Sequence, residues 1–304
     1  DVYSPYSKNI IGSVVEATTS DVLQSVTTSL KCYREITSVM TPFERFELLT
    51  KFYQQVKSCK EVLAELITNE TGKIIRESQI EVQRCLDVIQ FSAEESKRVY
   101  GKIYPCDITQ KKIYKKAYAE RVPLGVIAAI TPFNFPLNTA AHKIAPALAA
   151  GNTVIVKPSP QAPLSTNYLI KLLYESGAPD GIIQVLNGGS EVGKLLVQNP
   201  NIRMVTFTGS AKVGNQISKI SGLKKMTLEL GGNDPIIVLK DGNIDLAVKL
   251  CIDQGLGTCG QRCTAIKRIF VDKDIETDFK DKLLKAVLNI NFGNPLDSKT
   301  VYGR

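Results

Sequence analysis

The sequence predicts an α/β protein: a doubly wound parallel sheet that would carry a cofactor, followed by a second, truncated α/β domain. Two patterns lead to this fold class. From Gly125 onward, short apolar and β-branched runs alternate with helical stretches: "GVIAAIT", "LNTAAHKIAPALAAG", "TVIVKP", "PLSTNYLIKLLYESG" and "IIQVLNG", then "MVTFTGS", a helix over about 212–220, "MTLELGG" and "PIIVL". Ahead of them the first third reads as helical. Ligands of such sheets bind outside the carboxyl ends of the strands, so the turns that follow each strand are where chemistry is to be sought.

The elements follow in order. In "VMTPFERFELLTKFYQQVKSCKEVLAELITNETGK", Thr41, Pro42 and Glu44 form a capping box with proline at the first helical position, and apolar residues keep helical spacing until Gly72 ends the run. A second helix is expected over 79–97. Residues 104–123 interrupt the pattern as a two-stranded excursion. A boundary falls near Gly231-Gly232, after which a new strand, helix and strand begin and the chain ends in "FGNPLDSKTVYGR".

Composition narrows the class. The 304 residues, 43% hydrophobic and 22% charged, are those of a globular protein, and no apolar run approaches the roughly 20 residues of a membrane span. The first residues lack the apolar core of a signal peptide, which points to the cytoplasm. Seven cysteines, at 32, 59, 85, 106, 251, 259 and 263, make an odd set without a CxxC pair, and His142 is the one histidine, so neither a disulfide framework nor a metal site is expected. The net charge of +8 is carried in part by "QKKIYKKAY", whose basic pairs alternate with apolar residues as in a solvated strand pair. No recognition helix or zinc finger accompanies it, so neither nucleic acid nor membrane is expected as a partner.

Four stretches carry chemistry. "VTFTGSAKVG" sets Gly209 and Ser210 at a strand end and helix start, where free N–H groups favour a phosphate, although the spacing fits neither common phosphate-loop motif and an ordinary turn reads equally well. "TPFNFP" holds Asn134 between phenylalanines and prolines, either as an oxyanion donor or as a turn residue. "LELGG" puts Glu229 at an apolar strand end, where a carboxylate serves as a general base or else alternates onto a wet face. In "GTCGQRC", Arg262 beside Cys263 favours thiolate, so Cys263 is a candidate nucleophile, while Cys259 is a buried thiol or a resolving partner.

Together, and in this order, "TPFNFPLNTAAHKIAPALAAGNTVIVKPS", "FTGSAKVG", "LELGGNDPIIVL" and "GQRC" resemble the aldehyde dehydrogenase superfamily over nearly the whole chain. The resemblance implies that Cys263 is the nucleophile, Glu229 the base and Asn134 the oxyanion amide. It implies an NAD or NADP site made by Thr131, Pro132, Phe133, Lys157, Ser159, Gly189, Phe207, Thr208, Gly209, Ser210, Val213, Leu230 and Gly231. Residues 1–103 and 124–230 would then form the cofactor domain, 104–123 an oligomerisation hairpin of a homodimer or homotetramer, and 231–304 an incomplete catalytic domain. Family members continue further, to a Glu-x-Phe-Gly-Pro motif, and "DVYSPYSKNIIGSV" starts abruptly.

Within the superfamily, "AHKIAP" and "GQRCTAIKRI" look most like phosphonoacetaldehyde dehydrogenases, with non-phosphorylating glyceraldehyde-3-phosphate enzymes sharing the arginine before the nucleophile. Both act on anionic aldehydes, and Arg98 and Arg262 match anion-holding positions. Phe135 stands where a phosphonate-contacting histidine is expected, and an aromatic there would wall an apolar pocket. Pro160, in place of a ribose-binding glutamate, permits NADP. The alternatives are a lactaldehyde or semialdehyde enzyme, a CoA-acylating relative, which Glu229 argues against, and a noncatalytic nucleotide-binding or structural relative.

Overall fold

The computed structural model describes residues 1–109 and 115–303. A short antiparallel pair, β1 (Val2–Tyr3) and β2 (Ile10–Gly12), precedes four helices, α1 (Thr19–Cys32), α2 (Pro42–Ser58), α3 (Lys60–Thr71) and α4 (Ile75–Ser96). The pair β3 (Lys102–Tyr104) and β4 (Ala117–Ala119) leads into β5 (Val126–Ile130), α5 (Pro136–Ala149), β6 (Thr153–Lys157), α6 (Leu164–Glu175), β7 (Ile183–Val185) and α7 (Ser190–Gln198). Then come β8 (Ile202–Thr208), α8 (Ala211–Ile220), β9 (Lys225–Glu229), β10 (Asp234–Val238), α9 (Ile244–Leu256), β11 (Ile266–Val271) and α10 (Glu276–Leu288).

Five strands form one parallel sheet in the order β7-β6-β5-β8-β9. The chain winds outward from β5 in one direction and then, from β8, in the other, which places the switch point between β5 and β8. Every residue of β5 and β6 is buried, as strands covered on both faces must be. Alternate side chains serve the two faces. Ile127, Ala129, Val154 and Val156 pack with α2 to α6, whereas Val126, Ala128, Ile155 and Val205 pack with α1, α7 and α8. After Gly232 the chain leaves this sheet, and β10 pairs in parallel with β11 over a smaller core of Val238, Ala247, Val248, Cys251 and Phe279.

The helical third departs from the predicted pattern in detail. The capping box at Thr41 is present, with its hydroxyl accepting from the Glu44 N–H and the Glu44 carboxylate accepting from the Thr41 N–H at 2.7 Å. Gly72 ends α3 in the left-handed conformation, at φ 73°. The single expected helix is, however, broken at Cys59, whose φ of −105° and ψ of 15° leave the helical region. The second helix starts at Ile75 rather than 79. The excursion is an antiparallel pair that begins at Lys102, two residues early, and residues 110–114 of "QKKIYKKAY" lie outside the described residues.

Candidate active site

The carboxyl ends of β5, β6, β8 and β9 bring together loops that are far apart in sequence. Where β5 ends, the Thr131 N–H donates to the Lys157 carbonyl at 3.1 Å, which keeps the ends of β5 and β6 level. Residues 131–135 then turn into α5, whose first residue, Pro136, has no N–H to leave unpaired. Asn134 lies in this turn, and its Nδ2 donates to the Gln261 carbonyl at 2.5 Å. A carboxamide has two N–H donors. One is thus fixed on the cysteine loop, which leaves the other available to a further acceptor.

Glu229 closes β9, and its carbonyl accepts from the Gly209 N–H at 3.0 Å, so the candidate base and the start of α8 stand side by side. The next turn reaches the cysteine loop, since a Cβ at Gly232 would collide with the Cys263 carbonyl oxygen. Only glycine permits that approach. The Glu-Leu-Gly-Gly turn, the Asn134 turn and the Gln-Arg-Cys loop therefore converge. Cys263 itself is exposed, which leaves its thiol accessible to a reaction partner.

The loop that carries it is strained. Thr258, Cys259 and Gly260 take φ values of 53°, 55° and 69°, a region that costs non-glycine residues roughly 1–2 kcal/mol each and persists only when neighbours enforce it. Glu77 enforces it here, both carboxylate oxygens accepting from the Thr258 N–H at 3.1 Å and one also from the Thr258 hydroxyl at 3.2 Å. The Cys259 thiol donates to the Gly303 carbonyl at 3.4 Å, and burial pushes its pKa up. Of the two cysteines, Cys259 is the packed one.

The phosphate-turn candidate lies at a side-chain-capped helix start. Ser210 caps α8, its hydroxyl accepting from the Val213 N–H at 3.3 Å. A Cβ would stand 2.5 Å from the Phe207 ring at Gly209 and 2.5 Å from a Leu230 methyl at Gly214, so a larger residue at either position would have to displace that side chain. The Lys157 ammonium donates to the carbonyls of Pro158 (2.9 Å) and Gly188 (2.7 Å), next to Gly189, which caps α7. Ser159 accepts from the Gln161 N–H, and Phe133 lines a 440 Å³ cleft with Pro160 and Gln261. The Thr131 hydroxyl is buried without a hydrogen-bond partner among the described residues. Helix-start N–H groups, an anchored lysine and an orphaned hydroxyl along one strand edge fit a dinucleotide's phosphates and ribose.

Residues 1–304 match the model of the aldehyde dehydrogenase family throughout. The chain belongs to the aldehyde dehydrogenase family. Among its relatives, 3-sulfolactaldehyde dehydrogenase of Priestia aryabhattai is 39% identical over 304 residues, spanning 100% of this chain and 63% of the relative. Lactaldehyde dehydrogenase of Methanococcus aeolicus is 37% identical, over 99% of the chain and 64% of the relative. The glyceraldehyde-3-phosphate dehydrogenase GapN of Methanocaldococcus jannaschii, solved with NADP, superposes with a TM-score of 0.94 at 35% identity, covering 100% of this chain and 66% of that one. A betaine aldehyde dehydrogenase point mutant of Staphylococcus aureus, solved with NAD+, gives 0.95 at 32% identity, covering 100% and 62%. This family chain thus spans a little under two thirds of each relative's length. The names of these relatives point to sulfolactaldehyde, lactaldehyde, glyceraldehyde 3-phosphate and betaine aldehyde rather than to phosphonoacetaldehyde.

The two arginines are engaged elsewhere. Arg98 is exposed just beyond α4 and pairs with Glu95 at 2.6 Å and Glu94 at 3.9 Å. Arg262 turns its guanidinium back onto the end of α9, donating to the Asp253 and Gln254 carbonyls at 3.3 and 3.0 Å, where a cation complements the helix dipole. Its Nε is buried and lacks a partner among the described residues. Phe135, expected as a pocket wall, has its ring 3.9 Å from the Lys73 ammonium. Among the described residues no group of histidines, cysteines and carboxylates is arranged to hold a metal, and no helix is long and apolar enough to cross a membrane.

The sequence reading passed over Lys143, although "AHKIAP" sets a lysine on a helix face lined with alanine and isoleucine. The ammonium is buried against β8, donating to the hydroxyls of Thr206 (3.1 Å) and Thr208 (2.8 Å). Burial lowers its pKa from 10.5 to about 8, with the Glu229 carboxylate opposing the shift. Because the folded pKa is depressed, the unfolded chain binds more protons between pH 8 and 10.5. Stability from this group is therefore complete above the unfolded value and lost as pH falls through 8. The melting-temperature difference between wild type and Lys143→Met should move in favour of wild type as pH rises over that window. A constant difference would contradict this account.

Proposed function

We propose that this chain forms the cofactor lobe and nucleophile loop of an NAD(P)-dependent enzyme that oxidises an aldehyde to a carboxylic acid. The convergence of the Asn134 amide, the Glu229 turn and the Cys263 loop carries the reading. The Cys263 sulfur adds to the aldehyde carbon, and the carbonyl oxygen becomes an oxyanion. The free N–H of Asn134, with a backbone N–H of the cysteine loop, holds that charge, and each such donor is worth about 10²–10³ in rate. NAD(P), when bound at the edge of β5, β6 and β8, supplies the hydride acceptor. With the carbon at the acid level, Cys263 holds a thioester. Glu229 takes a proton from water, the resulting hydroxide attacks the thioester carbon, and the carboxylic acid leaves with return of the Cys263 thiolate.

In this assignment residues 1–103 and 124–230 serve the cofactor, 231–304 present the nucleophile, and the 104–123 hairpin is the pairing element of a homodimer or homotetramer. Seven free cysteines fit a reducing, cytoplasmic setting. Neither cofactor is excluded by repulsion, since Pro160 stands where a glutamate would oppose a 2′-phosphate.

The substrate we assign is a small aldehyde carrying an anionic group, in line with the sulfolactaldehyde and glyceraldehyde-3-phosphate enzymes among the relatives. Holding that group requires Arg262 to exchange its α9 carbonyls for the substrate, whereas Arg98, about 25 Å further along α4 than the Glu81 that meets the α5 start, is out of reach and stays with Glu95. The test is reduced-cofactor formation with sulfolactaldehyde, glyceraldehyde 3-phosphate, phosphonoacetaldehyde and lactaldehyde, each with NAD and NADP. Arg262→Ala should raise KM for the anionic aldehydes about tenfold or more, the usual worth of a charged hydrogen bond, while KM for lactaldehyde stays within about twofold and Arg98→Ala changes neither. Equal changes for all aldehydes in Arg262→Ala would return that arginine to the scaffold and favour a neutral substrate.

A further inference from the structure

Lys73 and Glu81 form an ion pair with no exposed side-chain surface, at 2.5 Å, and no step described above uses it. Its surroundings are specific. The Glu81 oxygen that does not face Lys73 accepts from the N–H groups of Leu137 (2.9 Å) and Asn138 (3.0 Å), the second and third residues of α5. On the other side, the Lys73 ammonium lies 3.9 Å from the centre of the Phe135 ring. The pair therefore grips the chain on the C-terminal side of Asn134 twice, through the first turn of α5 and through the adjacent ring.

Both members come from rigid places. Glu81 is in the second turn of α4, and Lys73 follows the left-handed Gly72 that ends α3. A carboxylate at the start of α5 also satisfies N–H groups that a helix cannot pair internally and complements its dipole. Asn134 itself is fixed on the far side by the Gln261 carbonyl. Its amide is thus held between the cysteine loop and an α5 start that Glu81 determines.

We infer that the buried Lys73–Glu81 pair is a positioning device for the Asn134 amide, setting the first turn of α5 so that the free N–H meets the oxyanion. The inference rests on the oxyanion reading of Asn134 given above. Neither Lys73 nor Glu81 touches the reacting atoms. Their effect passes through Asn134, and that makes the inference separable from a merely structural role.

The experiment is a double-mutant cycle on the pre-steady-state rate of reduced-cofactor formation in the full chain, with Glu81→Gln, Asn134→Ala and the pair combined. With Lys73 in place the single oxygen of Glu81→Gln is taken by the ammonium and its NH2 faces the Leu137 and Asn138 N–H groups, so the variant should slow that rate about 10- to 100-fold, as a displacement near 1 Å does, with KM for the cofactor within about twofold. In the Asn134→Ala background the same substitution should cost less than about threefold, because the group it positions is gone. Phe135→Leu removes the ring and leaves the ion pair, so it should show a smaller loss with the same dependence on Asn134, and it decides the matter if Glu81→Gln does not fold. Losses of equal size with and without Asn134, or an unchanged rate in Glu81→Gln, would overturn the inference while leaving the proposed activity intact. A wild-type protein that reduces no cofactor with any aldehyde would overturn both.

Discussion

Cys263→Ser is expected to lower turnover by a factor on the order of 10⁴ or more, the scale of losing a catalytic nucleophile, whereas Glu229→Gln should spare the first turnover. In the proposed mechanism the two residues act on different steps. A hydroxyl in place of the Cys263 sulfur is too poor a nucleophile at neutral pH to add to the aldehyde, so reduced cofactor does not form at all. Glutamine at 229 leaves addition and oxidation untouched but cannot take the proton from water. A burst of reduced cofactor, close to one per active site, should therefore be followed by little further production, with the acyl group detectable on Cys263 by mass spectrometry. Cys259→Ser should keep the burst and the steady state, since that thiol is packed against the Gly303 carbonyl. Steady turnover in Cys263→Ser, or loss of the burst in Glu229→Gln, would sink the assignment of roles.

The loops that converge here are legible in the sequence because their motifs are local. A strand followed by the Asn134 turn, a glycine turn ahead of Ser210 and the Glu229-Leu230-Gly231-Gly232 turn each announce themselves within a few residues, and a parallel sheet collects strand ends on one edge. What was missed acts across long separations. Glu77 holds the strained Thr258, 181 positions away, and nothing around "RESQIEV" marks that partner. The Lys143 ammonium finds its hydroxyls 63 and 65 positions on, in β8. Arg262 shows the opposite failure. Adjacency in sequence put its charge beside Cys263, but the unpaired carbonyls at the end of α9 draw the guanidinium away. The break at Cys59 went unseen for a related reason, since apolar spacing continues through it and no glycine or proline marks the turn.

The largest stability effect should come from Lys73→Met, which leaves the Glu81 carboxylate buried without its cation. Breaking a buried pair by removing one member typically costs about 3–5 kcal/mol, far more than the pair contributes when compared with apolar residues. Urea unfolding of the full chain would read this as a lower midpoint at unchanged slope. The compensating variant distinguishes the two things Glu81 does. Lys73→Met/Glu81→Gln removes the stranded charge yet keeps an oxygen for the Leu137 and Asn138 N–H groups, so it should regain more than half of the loss. Lys73→Met/Glu81→Leu also removes the charge but leaves both N–H groups buried without an acceptor, at roughly 1–3 kcal/mol each, so it should stay nearly as unstable as Lys73→Met alone. Equal recovery by glutamine and leucine would mean that the stranded charge alone sets the cost and that the α5 start does not depend on Glu81. Recovery by glutamine only would show that α4 holds the start of α5 through this one side chain.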